Sequence, residues 1–364
     1  MPTPELIYCA AGNERLARTA IRYGFTYGAQ LPATTYAPVE FVDQNWKKPV
    51  RGTYMAALVQ HKPRLATVLD WEHESQLDEV LSWADEAAQY VTEAVIIIPK
   101  VFNAIHLLPR EIRDKQVRLG YSVPTKFGAT SVPTWEFCDW PVHLLGGAPQ
   151  IQLKLAQYMQ VASADGNYAT KMSNRYGQFY ANGTAIRSQN RYWPKMSDYH
   201  RIDEDMPYRA WELSCINIKA AWARCKAMIR FGTEQDIPAI KRITNQFKNE
   251  LGFVNSAALK TSAAKLTLFV AEIYGEVVGM CNQWHRRDGW ATVYEIAVDR
   301  RWQGMRIGAG LLCSVPRPYR LKCTVDNPAN GFYANQGLSL LGTEQGNKRT
   351  LNVWEGGHDD RLLR

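Results

Sequence analysis

Three short apolar runs in the first half of the chain end in aspartate: VEFVD at Asp43, LATVLD at Asp70 and VASAD at Asp165. Two more end in residues of equal interest, AVIIIPK at Lys100 and VHLLGG at Gly146 and Gly147. An Asp that closes an apolar strand is costly to bury without a purpose. It also serves well as a helix N-cap or a turn residue, so one such Asp means little and three on one rim mean more. Carboxylates gathered at one rim suit glycosidic chemistry. One attacks the anomeric carbon and forms a covalent sugar–enzyme bond, while a second moves the proton of the leaving or entering group. Glycines beside them let a flat ring approach the backbone closely.

The second half carries a different device. The turn Gln303-Gly304-Met305-Arg306-Ile307-Gly308-Ala309 follows an apolar strand that ends near Val298, and it opens a helix. Backbone N–H groups at such a turn make a cradle for a diphosphate. Glu295 on that strand, and Asn327 and Tyr333 in the later stretch NPANGFYANQGL, are the other polar groups of note.

Between the two devices, residues 166–195 contain five basic residues and no acidic ones. The basic residues are Lys171, Arg175, Arg187, Arg191 and Lys195, interleaved with Tyr168, Tyr176, Phe179, Tyr180, Tyr192 and Trp193. Basic groups pair with phosphates and aromatic faces stack on exposed bases, so this stretch reads as a nucleic-acid platform, with a solvated Tyr-rich helix and loop as the plainer alternative. His73, His106 and His143 show no metal-ligand spacing and read as surface or core residues; no metal is expected.

The elements that must position these groups alternate. Strand-length runs LIYCAA, FTYGAQ, VEFVD, LATVLD, AVIIIP, VRLGYSV, VHLLGG and QVASAD are separated for the most part by amphipathic stretches, among them 13–24, 51–62, 74–90, 103–115 and 149–159. Eight strands alternating with helices predict an α/β architecture, a (β/α)8 TIM-like barrel over 1–222, with a doubly wound open sheet as the structural alternative. The link between the sixth and seventh strands is only weakly helical. The segment 210–228 reads as a helix that closes the first domain or leads into the second. From 228 to 356 the pattern is strand, helix, a hairpin turning at Tyr274-Gly275-Glu276, a strand with its Gly-containing turn and helix, then strand, helix and strand: a mixed α/β domain, followed by a tail at 357–364.

Composition bounds the rest. The chain has 364 residues, 46% apolar and 21% charged, ordinary for a folded protein of two domains. No apolar run is long enough for a membrane helix, and the N-terminus lacks a secretory pattern. The 7 cysteines have no CxxC spacing and read as reduced thiols, which predicts a cytoplasmic protein without membrane contact. Residues 1–224 hold 24 Lys and Arg against 22 Asp and Glu, whereas 225–364 hold 19 against 13. The overall net charge of +8 permits an acidic partner.

The order FVDQNW, VLDWE, LLGGAP, SADGNY resembles the tRNA-guanine transglycosylase superfamily, (β/α)8 barrels that exchange guanine in a nucleic acid for a 7-deazaguanine. The resemblance implies Asp165 as nucleophile, Asp43 as the proton-handling carboxylate, Asp70 on the edge of the base, and Gly146 and Gly147 presenting backbone to it. Lys100 stands where the family has a Gln that reads the base. The zinc-site cysteines of the tRNA enzymes are missing after Asp165. These departures look more like the phage-associated branch that acts on DNA, so the resemblance implies DNA as partner, with tRNA second, a base such as preQ0 or preQ1, and a host cytoplasm if the chain is viral.

The second half resembles the GNAT acetyltransferases, whose Q/R-x-x-G-x-G/A turn binds the pyrophosphate of acetyl-CoA. Val298, Gln303, Gly304, Arg306, Gly308, Ala309 and Asn327 would bind the cofactor, with Arg306 in place of the first motif Gly. Tyr333 would be the general acid and Glu295 the base for an incoming amine. Together the two resemblances imply a base-modifying transglycosylase whose second domain acylates the base or a linked amine. The alternatives are an acetyltransferase with a non-catalytic barrel that binds nucleic acid or protein, and a zinc-less tRNA enzyme. Inserted base, acyl acceptor and oligomeric state are not legible.

Overall fold

The computed structural model describes residues 4–9, 13–125, 129–185, 187–201, 203–346 and 349–357. Two compact units divide the chain. The first comprises Met1–Ile21 and Phe25–Lys171, the second Arg22–Gly24 and Met172–Arg364.

The first unit is a closed barrel of eight parallel strands: β1 (Glu5–Cys9), β2 (Thr26–Gln30), β3 (Phe41–Asp43), β4 (Leu65–Trp71), β5 (Ala94–Pro99), β6 (Lys115–Ser122), β7 (Pro141–Leu145) and β8 (Gln160–Gly166). Each pairs with its neighbour in parallel, as in Ile7 with Thr26, Gly28 with Phe41 and Leu119 with Val142. The pairing of Ile7 with Asp165 closes the ring. Apolar runs such as Ala94–Pro99, buried at every position, form strands because both faces are covered. Ile7, Phe41, Leu65, Ala94 and Ile96 cluster as one part of the core. At Gly28 a Cβ would lie 2.7 Å from Phe41 Cδ1 and 2.9 Å from Ile7 Cγ2, so only glycine fits there.

All eight expected strands lie in the expected places, although the last two residues of the first, LIYCAA, fall outside the described residues. The helices are sparser. Four of the expected helices form, α1 (Glu14–Arg22), α2 (Arg51–His61), α3 (Leu77–Ala88) and α4 (Pro149–Leu155). The fifth, over 103–115, does not. That segment holds one 3-10 turn at Ile105–Leu107 and a two-residue strand, Glu111–Ile112, that turns back on β6. Pro109 interrupts the helical pattern, and Arg113 and Asp114 take positive φ in the hairpin turn. Among the described residues, the link from β6 to β7 forms no α-helix and holds the 3-10 turn Thr134–Phe137.

After α5 (Tyr168–Tyr176) comes the long helix α6 (Met206–Trp222). The units divide at Lys171/Met172, well before the expected boundary near 222–228. The cause is packing. α6 is buried along most of its length and lies against β9 (Met228–Phe231) and α9 (Ile307–Cys313), while Asn217 bonds both backbone groups of Ile229. A helix that reads as closing the first domain is part of the core of the second.

The second unit is a seven-stranded sheet in the order β9, β10 (Leu268–Ile273), β11 (Glu276–His285), β12 (Ala291–Val298), β13 (Tyr319–Thr324), β15 (Thr350–Gly356) and β14 (Ser339–Gln345). Helices α7 (Ile237–Thr244), α8 (Ser256–Ala264), α9 and α10 (Ala329–Asn335) complete it. The hairpin turns as expected, with Tyr274 and Gly275 at positive φ. The final strand β15 has no counterpart in the sequence reading, and of the expected tail 357–364 only Gly357 lies among the described residues.

Candidate functional site

At the C-terminal ends of the barrel strands a cavity of about 370 Å³ is lined by Asp43, Asp70, Lys100, Gly146, Gly147 and Asp165, together with Gln44, Trp46, Ser122 and Asn167 among others. All six barrel residues expected from sequence meet here. Parallel strands explain the convergence, because residues that end neighbouring strands arrive on one rim.

Asp165 is held from two sides. The Gly146 N–H donates to its Oδ1 at 2.9 Å, and His143 Nε2 lies 3.3 Å from the same oxygen, in range for charge pairing but out of line for a hydrogen bond. His143 is wholly buried, shares Nδ1 with the Ser163 hydroxyl at 2.8 Å and stacks on Phe41. Gly146 and Gly147 both take positive φ, and a Cβ on Gly147 would meet Val123 Cγ1 at 2.2 Å, so this turn requires glycine. The Gln152 amide clamps it, donating to the carbonyls of Gly146 and Asp165 at 2.7 Å each.

Asp43 accepts a hydrogen bond from the Thr67 hydroxyl at 3.0 Å. Burial, then the nearby Asp165 carboxylate, push its carboxyl up to about 7 against the opposing effect of that hydrogen bond. A carboxyl poised there can both give and take a proton at neutral pH. Cys9 sits close by, its thiol pushed well up by burial and then by Asp165 and Asp43. Lys100 pairs with Asp70 at 2.6 Å and with Glu72 at 2.9 Å. Burial raises the Asp70 carboxyl while the Lys100 ammonium opposes it.

His143, Thr67 and Gln152 were not read from sequence as site residues. His143 is a core residue, as expected of it, but its partner lies twenty-two positions away on a neighbouring strand, and no local pattern marks that pairing.

The second unit has its own cavity, of about 740 Å³. β12 and β13 pair only from Ala291–Val293 to Tyr319–Leu321. Beyond that the cavity lies among Ile296, Ala297 and Val298, the turn Gln303–Ala309, and Asn327, Phe332 and Tyr333 of the α10 region. Every residue expected to bind the cofactor lines it. Gly304 and Arg306 both take positive φ, a left-handed backbone that favours glycine. Gly308 lies against the Phe332 ring, where a Cβ would come within 3.0 Å. Asn327 caps α10 by accepting the Ala329 N–H at 2.9 Å. The Trp302 indole N–H, on the cavity wall, is buried and has no partner. A cavity of this size with an orphaned donor and a left-handed turn fits the diphosphate ester acetyl-CoA.

Tyr333 is 7% exposed, and burial raises its hydroxyl well above the ordinary tyrosine range. Glu295 lies next to the cavity wall rather than on it. Its carboxylate accepts the Asn282 amide at 2.7 Å, and burial raises its carboxyl against that hydrogen bond.

The expected nucleic-acid platform is only partly exposed. Phe179, Tyr180 and Trp193 are core residues with no face free for a base. Arg187 leans over Tyr199 and pairs with Glu272 at 3.8 Å, and Arg191 donates to the Gly183 carbonyl and lies over Tyr192. Lys171 and Arg175 are exposed on α5. Three of the six interleaved aromatics are thus packing residues, while Tyr168 and Tyr192 are half-buried and Tyr176 is exposed.

Among the described residues no group of three or more His, Cys, Asp or Glu side chains gathers as metal ligands, no helix is long and apolar enough to cross a membrane, and the seven cysteines are free thiols.

Residues 17–223 match a family described as "Family of unknown function (DUF6610)", and residues 264–337 match the acetyltransferase (GNAT) domain. No curated protein matches the chain. Similar solved structures include Ard1 from Thermoplasma volcanium, at 21% identity over 36% of this chain and 96% of that one, with a TM-score of 0.32. The ribosomal-protein-S18-alanine N-acetyltransferase from Escherichia coli is 16% identical over 36% of this chain and 97% of its own, with a TM-score of 0.31.

Proposed function

This chain belongs to the family of unknown function (DUF6610) and carries a GNAT acetyltransferase domain, and from that premise we propose that it joins two transferases: an acetyl-CoA-dependent N-acyltransferase, and a barrel that exchanges a base in DNA through its carboxylates. The observation that carries the first part is the cavity that gathers the Gln303–Ala309 turn, Asn327 and Tyr333. Bound there, acetyl-CoA supplies an acetyl group activated as a thioester. The turn backbone and the Arg306 side chain hold its diphosphate. Glu295 takes the proton of an amine acceptor, directly or through water. The buried Tyr333 hydroxyl keeps its proton until a thiolate requires it.

The second part is favoured by the pairing of Asp43 with Asp165. A carboxylate oxygen of Asp165, oriented by the Gly146 N–H and His143, attacks C1′ of the target nucleotide. The bond from C1′ to the base breaks, and the leaving base takes a proton from Asp43. An incoming 7-deazaguanine then attacks C1′, returns its proton to Asp43 and frees Asp165. An aminomethyl-bearing base such as preQ1 would offer the amine that the second unit acylates.

Thermal unfolding of the full chain with and without acetyl-CoA tests the first part. At a hundredfold excess over Kd, binding stabilises the unit by about 2.7 kcal/mol. Tyr333→Phe keeps that shift and lowers acetyl transfer by about 10²- to 10⁴-fold. A wild-type melting curve that acetyl-CoA leaves unmoved overturns the assignment.

A further inference from the structure

The mouth of the barrel carries a second feature that the carboxylate chemistry does not use. Trp46, on the loop after β3, is 51% exposed and lines the cavity. The loop is built rather than loose. Gln44 is 3% exposed and its N–H donates to Thr67, while the Asn45 side chain accepts the Lys47 N–H and its carbonyl accepts the Lys48 N–H. This tight turn holds a large flat ring outward, with the Lys47 ammonium 5.3 Å from the ring centroid and Lys48 exposed beside it. On the same rim, the loops after β5 and β6 present Phe102 and Trp135, 60% and 61% exposed, in an edge-to-face pair.

We propose that this rim is a binding surface for single-stranded nucleic acid, with Trp46 stacking on the base next to the target nucleotide and Lys47 and Lys48 pairing with its phosphates. The proposal rests on the glycosidic reading of the barrel and names the form of its substrate. Charge separates the two parts of the surface. Among the described residues the cavity lining carries Asp43, Asp70 and Asp165 against one cation, Lys100, a balance that favours a neutral base and sugar over phosphate. Phosphates on either side of a target nucleotide must lie outside the cavity, where Lys47 and Lys48 stand. Glu72 on the next loop is already paired with Lys100. Aromatic faces beside flexible cations are the ordinary means of holding unstacked bases without regard to sequence.

Binding of a fluorescein-labelled single-stranded 12-mer oligodeoxynucleotide to the full chain, followed by anisotropy over a salt series, tests this. Trp46→Ala weakens binding about 5- to 150-fold. Lys47→Ala with Lys48→Ala makes the slope of log affinity against log salt shallower by about 1.4. Phe102→Ala with Trp135→Ala extends the loss. All five side chains are exposed or at the surface, and unchanged melting temperatures confirm folding. A wild-type chain that binds at the rim yet exchanges no base refutes the glycosidic reading alone. Unchanged affinity in Trp46→Ala and unchanged salt slope in the lysine variant overturn the rim, even where base exchange is observed, and assign these aromatics to a protein partner.

Discussion

At the scale of the residue, the account turns on one carboxyl with a displaced proton affinity. Asp43 is pushed up to about 7, against roughly 4 for an unfolded aspartate. A carboxyl raised by folding favours the folded state most when protonated. Its favourable share is therefore complete below about pH 4 and is lost as pH rises through about 7. Asp43→Asn is expected to flatten the fall in stability between pH 5 and 8 and to raise stability at pH 8 by up to about 4 kcal/mol, read from urea unfolding at each pH. The same variant removes the proton shuttle and lowers base exchange by about 10²- to 10⁴-fold. A variant that is less stable than wild type at pH 8 contradicts the raised carboxyl. Arg306 makes a separate point. Its side chain departs from the motif, yet its φ of 57° is the left-handed backbone that glycine adopts most easily.

At the scale of the element, strands were legible and helices less so. Continuous Val, Ile and Leu runs mark a strand buried on both faces, and the ends of those runs place Asp43, Asp70, Lys100, Gly146 and Asp165 on one rim without knowledge of any contact. The helix expected over 103–115 failed because apolar spacing was read through Pro109. The second strand shows the opposite economy. Gly28 carries no side chain because Phe41 and Ile7 fill its place, and pattern reading cannot see that demand. Gly28→Val is expected to destabilise the barrel by about 1–3 kcal/mol, read from urea unfolding, as overpacking does. A neutral result would mean that the barrel core is looser at β2 than its geometry shows. Three rings of the aromatic stretch 166–195 are covered for a related reason. Phe179, Tyr180 and Trp193 are apolar enough to be core, and sequence alone does not say which rings are covered.

At the scale of the whole molecule, each of the two units holds a cavity that gathers residues from several elements of its own unit. The compact units divide at Lys171/Met172 because the buried face of α6 packs with β9 and α9, whereas the family match to the first half runs on to residue 223. Neither the barrel rim nor the diphosphate turn depends on where α6 packs. A net charge of +8 is consistent with attraction to a polyanion, but the carboxylates, not the charge, define the reaction. The most direct test is nucleoside mass spectrometry of DNA and tRNA incubated with the full chain, a 7-deazaguanine and isotopically labelled acetyl-CoA. The account predicts a deazaguanine nucleoside in DNA that disappears with Asp165→Ala, and a labelled acetyl increment on it that disappears with Tyr333→Phe alone. Unmodified DNA and tRNA, from a chain that still binds acetyl-CoA, would contradict it and leave an acetyltransferase with a barrel that performs no chemistry.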